Sequence, residues 1–149
     1  MTQKLVIIGN GMAPGRMLEH LLERAPDAYA ITIFNAEPRV NYDRIMLSPV
    51  LSGEKEYEEI VIHGDGWYIK NNITLYKVVA IDRIAKTVTS DHGVTESYDK
   101  LVIATGSVPF IIPVPGNDLP GVLTYRDLDD VQAMLLAAQS RAKAVVIGG

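Results

Sequence analysis

The sequence predicts an α/β fold in which a parallel sheet carries helices on both of its faces. Two observations lead to this prediction. Continuous apolar runs at 4–8 and 100–104 are typical of parallel strands that are buried on both sides, and 30–35 and 73–78 are further strand candidates. An amphipathic helix is predicted at 12–24, between the strand candidates at 4–8 and 30–35. This is the arrangement of a strand–helix–strand unit with a right-handed crossover.

The middle of the chain predicts loops and short helices. Residues 38–56 are polar, contain prolines and lack a long period, so we expect a loop with a short helix near 46–52. Residues 63–71 predict one or two helical turns around Trp67 and Tyr68. These segments connect the second and third predicted strands.

The remaining elements follow in chain order. Residues 79–98 alternate apolar and polar positions and predict a small antiparallel insert, with Asp91-His92-Gly93 as a hairpin turn. After a proline-rich connector, 127–140 predicts a helix whose first turn carries acids that suit the helix dipole. Residues 144–149 repeat the pattern of 5–9, so we expect a buried strand leading into a glycine loop, in a fragment of a longer protein.

Composition excludes several kinds of chemistry. The 149 residues have a net charge of −4 and no basic stripe interleaved with aromatics, so we expect no nucleic-acid partner. No apolar run approaches the ~18 residues of a membrane span and no signal peptide is evident, so we expect no membrane partner and a cytoplasmic location. Without cysteine the chain holds no disulfide, thiolate nucleophile or cysteine-ligated cluster. The three histidines, which we expect in surface or turn positions without a metal site, are His20, His63 and His92.

A phosphate-binding pattern follows the first predicted strand. Gly9 and Gly11 occupy the first two positions of G-x-G-x-x-G, where one glycine permits a tight turn and the next lets a diphosphate approach the backbone. The helix N-terminus adds free N–H groups and a partial positive charge. Pro14 replaces the third glycine, a substitution that the first helical turn tolerates, and we expect Gly15 to ease the helix–sheet contact.

An acid follows the second predicted strand. Glu37 lies 22 residues after Gly15, close to the offset of about 20 at which a carboxylate binds the ribose hydroxyls of a dinucleotide. Such an acid repels a 2′-phosphate and favours an adenosine with a free 2′-OH. The alternative is a solvated loop glutamate.

Five motifs together resemble one group of proteins. In order they are VIIGNGM, ITIFNAEPRVNYDRIMLS, YDKLVIATGSVPFIIPVPG, VLTYRDLDDV and VVIGG, and they cover almost the whole chain. They resemble the two-dinucleotide-binding flavoprotein reductases, and EPRVNYDRIMLS is most similar to the large subunits of NAD(P)H-dependent assimilatory nitrite reductases. The chain is also similar to rubredoxin and ferredoxin reductases. The resemblance implies a Rossmann-like fold and FAD, rather than the nicotinamide, at the first loop.

The resemblance also implies roles for individual residues. Residues 9–12 would face the FAD pyrophosphate, Glu37 would hold the adenosine ribose, and Arg44 would lie near the diphosphate or adenine, as suits a guanidinium. The alternative for Arg44 is a surface pair with Asp43. No catalytic side chain or metal ligand is expected. The predicted cofactor-binding residues are Gly9, Asn10, Gly11, Met12, Glu37, Arg44, Ser48, Pro49, Ala104, Thr105 and Gly106.

For the intact protein, the resemblance implies an electron path from NAD(P)H through FAD to a [4Fe–4S] cluster and siroheme, where nitrite becomes ammonia. We expect an incomplete FAD-binding domain at 1–112, and the connector, helix and first strand of an NAD(P)H-binding domain at 113–149. NAD(P)H and nitrite would engage segments outside this chain, and a small subunit or a second copy would be a further partner. The fragment alone is expected to be inactive. Two alternatives stay open, the FAD-binding part of a rubredoxin- or ferredoxin-type reductase and a non-catalytic nucleotide-binding module.

Overall fold

The computed structural model describes residues 2–140 and 143–148, which form two compact units. The first unit contains the described residues within Met1–Asp43 and Val61–Gly106. The second contains those within Arg44–Ile60 and Ser107–Gly149. The domain boundary at 112/113 stays a prediction.

The first unit contains a six-stranded sheet in the order β5-β4-β3-β2-β1-β6. The pairs β1–β2, β1–β6 and β2–β3 are parallel, whereas β3–β4 and β4–β5 are antiparallel. The predicted α/β fold, with a parallel sheet and an antiparallel insert, is therefore confirmed. The strands are β1 (Gln3–Ile8), β2 (Tyr29–Asn35), β3 (Thr74–Asp82), β4 (Thr87–Ser90), β5 (Thr95–Ser97) and β6 (Lys100–Ile103).

The last four residues of β1, 5–8, are buried on both faces of the sheet, as the continuous apolar run predicts. Successive side chains of a strand point to opposite faces, and they enter two separate clusters. The first also receives side chains from helices α1 (Met12–Arg24) and α4 (Asp65–Lys70), and its buried members are Leu5, Ile7, Leu18, Ile31, Ile33, Tyr68 and Ile73. The second includes a side chain of antiparallel strand β4, and its buried members are Val6, Ile8, Phe34 and Val88.

At two places where the sequence predicts a buried strand, the structure has something else. Strand β6 lies at one edge of the sheet and is only partly buried, with Ile103 63% exposed, because its described partner is β1 alone. Residues 143–148 adopt no strand, and Val145, Val146 and Ile147 are exposed. A strand needs a neighbour to satisfy its backbone N–H and C=O groups, and no strand among the described residues pairs with this segment.

The second unit is helical. It contains a 3-10 turn (Arg44–Met46), α2 (Leu47–Ser52), α3 (Tyr57–Ile60) and α5 (Leu128–Ala138), and α2 packs against α5. Helix α5 begins with a capping box, in which the Asp127 side chain accepts from the Asp130 N–H at 3.0 Å and Asp130 accepts from the Asp127 N–H. The acidic helix start that the sequence predicts is confirmed. Within the described residues, no helix combines the length and apolar character needed to cross a bilayer.

Candidate functional site: a glycine loop at the carboxyl edge of the sheet

Three chain segments meet at the carboxyl edge of the parallel strands. Gly9 follows β1, Ala104 follows β6 and Glu37 comes two residues after β2. The sheet continues through the loop residues, because the Gly9 N–H donates to the Phe34 carbonyl and the Ala104 N–H to the Ile8 carbonyl, each at 2.7 Å. Ligands of open α/β sheets bind outside this edge. The structure thus brings the predicted residues at 9–12, 37 and 104–106 to one edge.

Gly9 makes the closest backbone approach at this edge. Its φ is +108°, a conformation that disfavours side chains, and a Cβ there would stand 2.1 Å from the Ala104 carbonyl oxygen. Two features therefore require glycine in this predicted tight turn: the positive φ of the backbone and the nearby end of β6. The two predicted FAD signatures touch at this point.

Gly11 has open space where Gly9 has none. Apart from atoms of Gly11 and its two chain neighbours, no described heavy atom lies within 4 Å of the position that a Gly11 Cβ would take. Helix α1 begins at the next residue, has no side-chain cap at its start, and none of the described residues in its first turn is acidic. Because the first intrahelical bond runs from the Gly15 N–H to the Gly11 carbonyl, the amides of Met12 and Ala13 precede it. The open space at Gly11 and the free amides of the helix start together form a cradle that fits a diphosphate.

Pro14 lies in the first turn of α1 and is buried, as the sequence predicts. The expected role of Gly15 is wrong. A Cβ on Gly15 would stand 2.5 Å from Asn41 Nδ2, so this glycine makes room for a loop side chain and not for the sheet. Leu18, which is 1% exposed, makes the helix–sheet contact instead.

A buried polar network lies behind the glycine loop at residues 9–12. Tyr68 Oη lies 3.1 Å from Asn10 Oδ1 and 3.0 Å from Asn41 Oδ1, so its one proton serves one of these two acceptors. Asn41 Oδ1 also accepts the His63 N–H, and Asn41 Nδ2 lies 3.0 Å from His63 Nδ1. His63 Nε2 is 2.8 Å from Glu19 Oε1. The network links the loop to α1.

The sequence predicts His63 at the surface or in a turn; the residue lies in a bend before α4, but the surface alternative is wrong. It is 6% exposed, and its ring stacks on Trp67 with centroids 4.0 Å apart. Sequence reasoning missed it because its partners Asn41 and Glu19 lie 22 and 44 residues away. Since Asn41 Nδ2 donates to Nδ1, the network assigns the ring proton to Nε2, which donates to the Glu19 carboxylate.

Acid should weaken the contribution of Glu19 to stability. The hydrogen bond from Arg16, and after it the one from His63, holds the pKa of Glu19 below its ordinary value of 4.5, against an opposing effect of burial. A lowered folded-state pKa contributes stability that is present above the unfolded pKa and is lost as pH falls through the folded one. We expect a carbon-13 NMR titration to give a pKa of Glu19 below 4.5, and we expect Arg16→Ala to raise this pKa.

The control for this titration is Lys55→Ala, which removes the ion pair to Glu59 in the second unit. It should leave the Glu19 midpoint unchanged. A midpoint that Arg16→Ala fails to raise would contradict the assigned cause.

Glu37 is held in place at the end of β2. Its Oε2 accepts from Tyr42 Oη at 2.7 Å and lies 3.8 Å from Arg39 Nη1. The Asn35 side-chain amide donates to the carbonyls of Glu37 and Arg39 and so shapes the turn. With a side chain 15% exposed, Glu37 differs from the solvated glutamate of the alternative reading. Sequence reasoning missed Tyr42 and Arg39, whose role emerges only from the folded turn.

Three predicted site residues belong to the second unit. Arg44 Nη1 donates to the Arg126 carbonyl at 3.1 Å, and Ser48 Oγ lies 2.8 Å from Tyr125 Oη. Pro49 lies in α2. Their contacts with a cofactor stay predictions.

Comparison with known proteins places this edge in context. The chain matches the pyridine nucleotide-disulphide oxidoreductase family over residues 3–149. It is 47% identical to the nitrite reductase [NAD(P)H] of Bacillus subtilis (strain 168), over 99% of this chain and 19% of that protein. It is 46% identical to the assimilatory nitrate reductase electron transfer subunit of the same organism, over 98% of this chain and 19% of that protein.

A solved structure shares the fold. The NADH:rubredoxin oxidoreductase from Clostridium acetobutylicum superimposes with a TM-score of 0.81 at 30% identity, over 97% of this chain and 38% of that chain. The present chain spans about one fifth of the length of the two curated relatives.

Proposed function

This chain belongs to the pyridine nucleotide-disulphide oxidoreductase family, and we propose that it is the FAD-binding part of an NAD(P)H-dependent nitrite reductase. The observation that carries the proposal is the open space at Gly11, next to a helix start without a cap or an acid. An anionic diphosphate suits that space, because helix N–H groups and the helix dipole both favour negative charge. The identity of 47% to a nitrite reductase supports the substrate.

The residues at the carboxyl edge bind different parts of FAD. Residues 9–12 face the FAD diphosphate, which accepts from the loop amides other than that of Gly9, because the Gly9 N–H donates to the Phe34 carbonyl. Glu37 accepts hydrogen bonds from the adenosine ribose. One side of the FAD site is formed by Ala104, Thr105 and Gly106, with Gly106 at φ +75°. When bound, FAD supplies acceptance of a hydride from NAD(P)H and onward transfer of electrons. This chain contributes binding and orientation.

Other parts of the proposal rest on the resemblance. Arg44 binds phosphate oxygens or adenine, and Ser48 and Pro49 approach the flavin. NAD(P)H, nitrite, the [4Fe–4S] cluster and siroheme engage segments outside this chain. The domains meet at 112/113, the protein works in the cytoplasm, and a small subunit or a second copy assembles with it.

A titration of the purified chain with FAD, followed by flavin fluorescence, tests the proposal. We expect FAD to bind and NADH alone not to bind, because the first loop is assigned to FAD. NADH binding at this loop, or absence of FAD binding by the longer protein that carries this chain, would overturn the assignment.

Replacing Glu37 should separate two flavins. Glu37→Gln removes the charge that accepts the ribose hydroxyls, so FAD should bind roughly ten- to a hundredfold more weakly. FMN lacks the adenosine, so its affinity should stay unchanged. Calorimetric titration of both flavins checks this. Glu58→Gln, an exposed acid on α3, is the control that should alter neither, and an equal loss for both flavins would refute the ribose contact.

A second candidate rests on the relative at 46% identity, whose name describes an electron transfer subunit. In that case the same FAD site passes electrons to a separate acceptor protein. NADH oxidation by the protein that carries this chain separates the two candidates. Stimulation by nitrite alone supports the nitrite reductase, whereas a strict need for an added acceptor protein supports the second.

A further inference from the structure

We infer that Tyr68 and Asn41 are positioning residues for the nucleotide loop, residues 9–12, and that they act through the side chain of Asn10. The inference rests on the proposed function, since the loop it concerns is the proposed FAD site. It assigns a task to a buried network that cofactor binding alone leaves unexplained.

The loop needs an anchor because it lies between two glycines. Gly9 and Gly11 flank Asn10, and glycine has the largest backbone freedom to lose on ordering. Asn10 is 6% exposed and carries the one side chain beyond a hydrogen atom in residues 9–11. Fixing that side chain therefore fixes the loop.

The hydroxyl of Tyr68 holds the Asn10 amide. Tyr68 Oη lies 3.1 Å from Asn10 Oδ1, while Asn10 Nδ2 is buried with no hydrogen-bond partner among the described residues. Because one polar atom of this amide is already unsatisfied, loss of the Tyr68 contact would leave the whole amide buried without compensation, which is costly. The loop would then reorganise to expose it.

Tyr68 is itself rigidly placed. It is 3% exposed, and its ring packs edge-on against Trp67 with centroids 5.1 Å apart. Because Asn41 Oδ1 already accepts the His63 N–H, we assign the Tyr68 proton to Asn10 Oδ1. Asn41, which is 2% exposed, then holds the hydroxyl through its backbone N–H, which donates to Tyr68 Oη at 3.5 Å. Its Nδ2 faces His63, which bonds Glu19 of α1. The network thus ties the loop to the helix whose N-terminus completes the cradle.

The first test needs no cofactor. In hydrogen–deuterium exchange, Tyr68→Phe should speed exchange of the amides at 10–13 while the β1 and β2 amides stay protected. Tyr76→Phe is the matched control, because it removes a hydroxyl from a ring packed on the opposite face, and it should leave the loop unchanged. Asn10→Ala should reproduce the loop effect without altering Tyr68. Unchanged loop exchange in both Tyr68→Phe and Asn10→Ala would overturn the inference.

The second test measures coupling. Tyr68→Phe should weaken FAD binding roughly three- to tenfold, and this loss should vanish when Asn10→Ala is already present. A merely structural role would lower the unfolding midpoint without such coupling, and fully additive losses would overturn the inference. Failure of the unaltered chain to bind FAD would count against the proposed function, while loop exchange would still decide the positioning role.

Discussion

Gly9→Ala should lower the free energy of unfolding by about 3–5 kcal/mol. The added Cβ would stand 2.1 Å from the Ala104 carbonyl oxygen, and the backbone would keep a φ of +108° that alanine resists. The obstacle is backbone at the end of a neighbouring strand, so relief requires β1 and β6 to move apart. Urea unfolding followed by the fluorescence of Trp67, the single tryptophan, measures the loss.

Gly53→Ala separates the clash from the backbone strain. Gly53 also has a positive φ, +77°, but apart from its own atoms and its chain neighbours no described heavy atom lies within 4 Å of its Cβ position. We expect it to cost only about 1 kcal/mol. If Gly9→Ala costs no more than Gly53→Ala, the close approach between the two strand ends is not what requires glycine.

Gly11→Ala should have the opposite profile, with retained stability and a large loss of FAD affinity. Its Cβ meets no described atom of the chain but occupies the space assigned to the diphosphate. We expect unfolding free energy within about 1 kcal/mol of the unaltered chain and FAD binding weaker by roughly ten- to a hundredfold. Denaturant unfolding and flavin fluorescence titration measure the two quantities.

Gly64→Ala is a closely matched control. Gly64 also precedes a helix in extended conformation with open space at its Cβ position, but it lies before α4 and outside the nucleotide loop. It should change stability as little as Gly11→Ala and leave FAD affinity unaltered. Unchanged affinity in Gly11→Ala would remove the diphosphate from this loop.

Local patterns explain which parts of the fold are predictable. The apolar run of β1, the amphipathic period of α1 and the turn at Gly93 are encoded by neighbouring residues, and the structure has each of them. The glycine loop is predictable for the same reason, since its roles follow from its place between a strand and a helix.

Long-range contacts explain what the sequence could not predict. Gly9 meets Ala104, 95 residues away, and Gly15 meets Asn41, so neither contact has a local signature. The burial of His63 depends on the same kind of contact. Apolar character alone also overstates the burial of β6, because burial depends on which strands pair with it.

The central claim is that FAD binds with its diphosphate against the loop at 9–12. Two-dimensional proton–nitrogen NMR of the chain with and without FAD tests it most directly. We predict that the largest chemical-shift changes occur at the amides of Gly11, Met12 and Ala13, where the helix start faces the open space at Gly11. Unchanged signals at these three amides in the presence of bound FAD would contradict the claim.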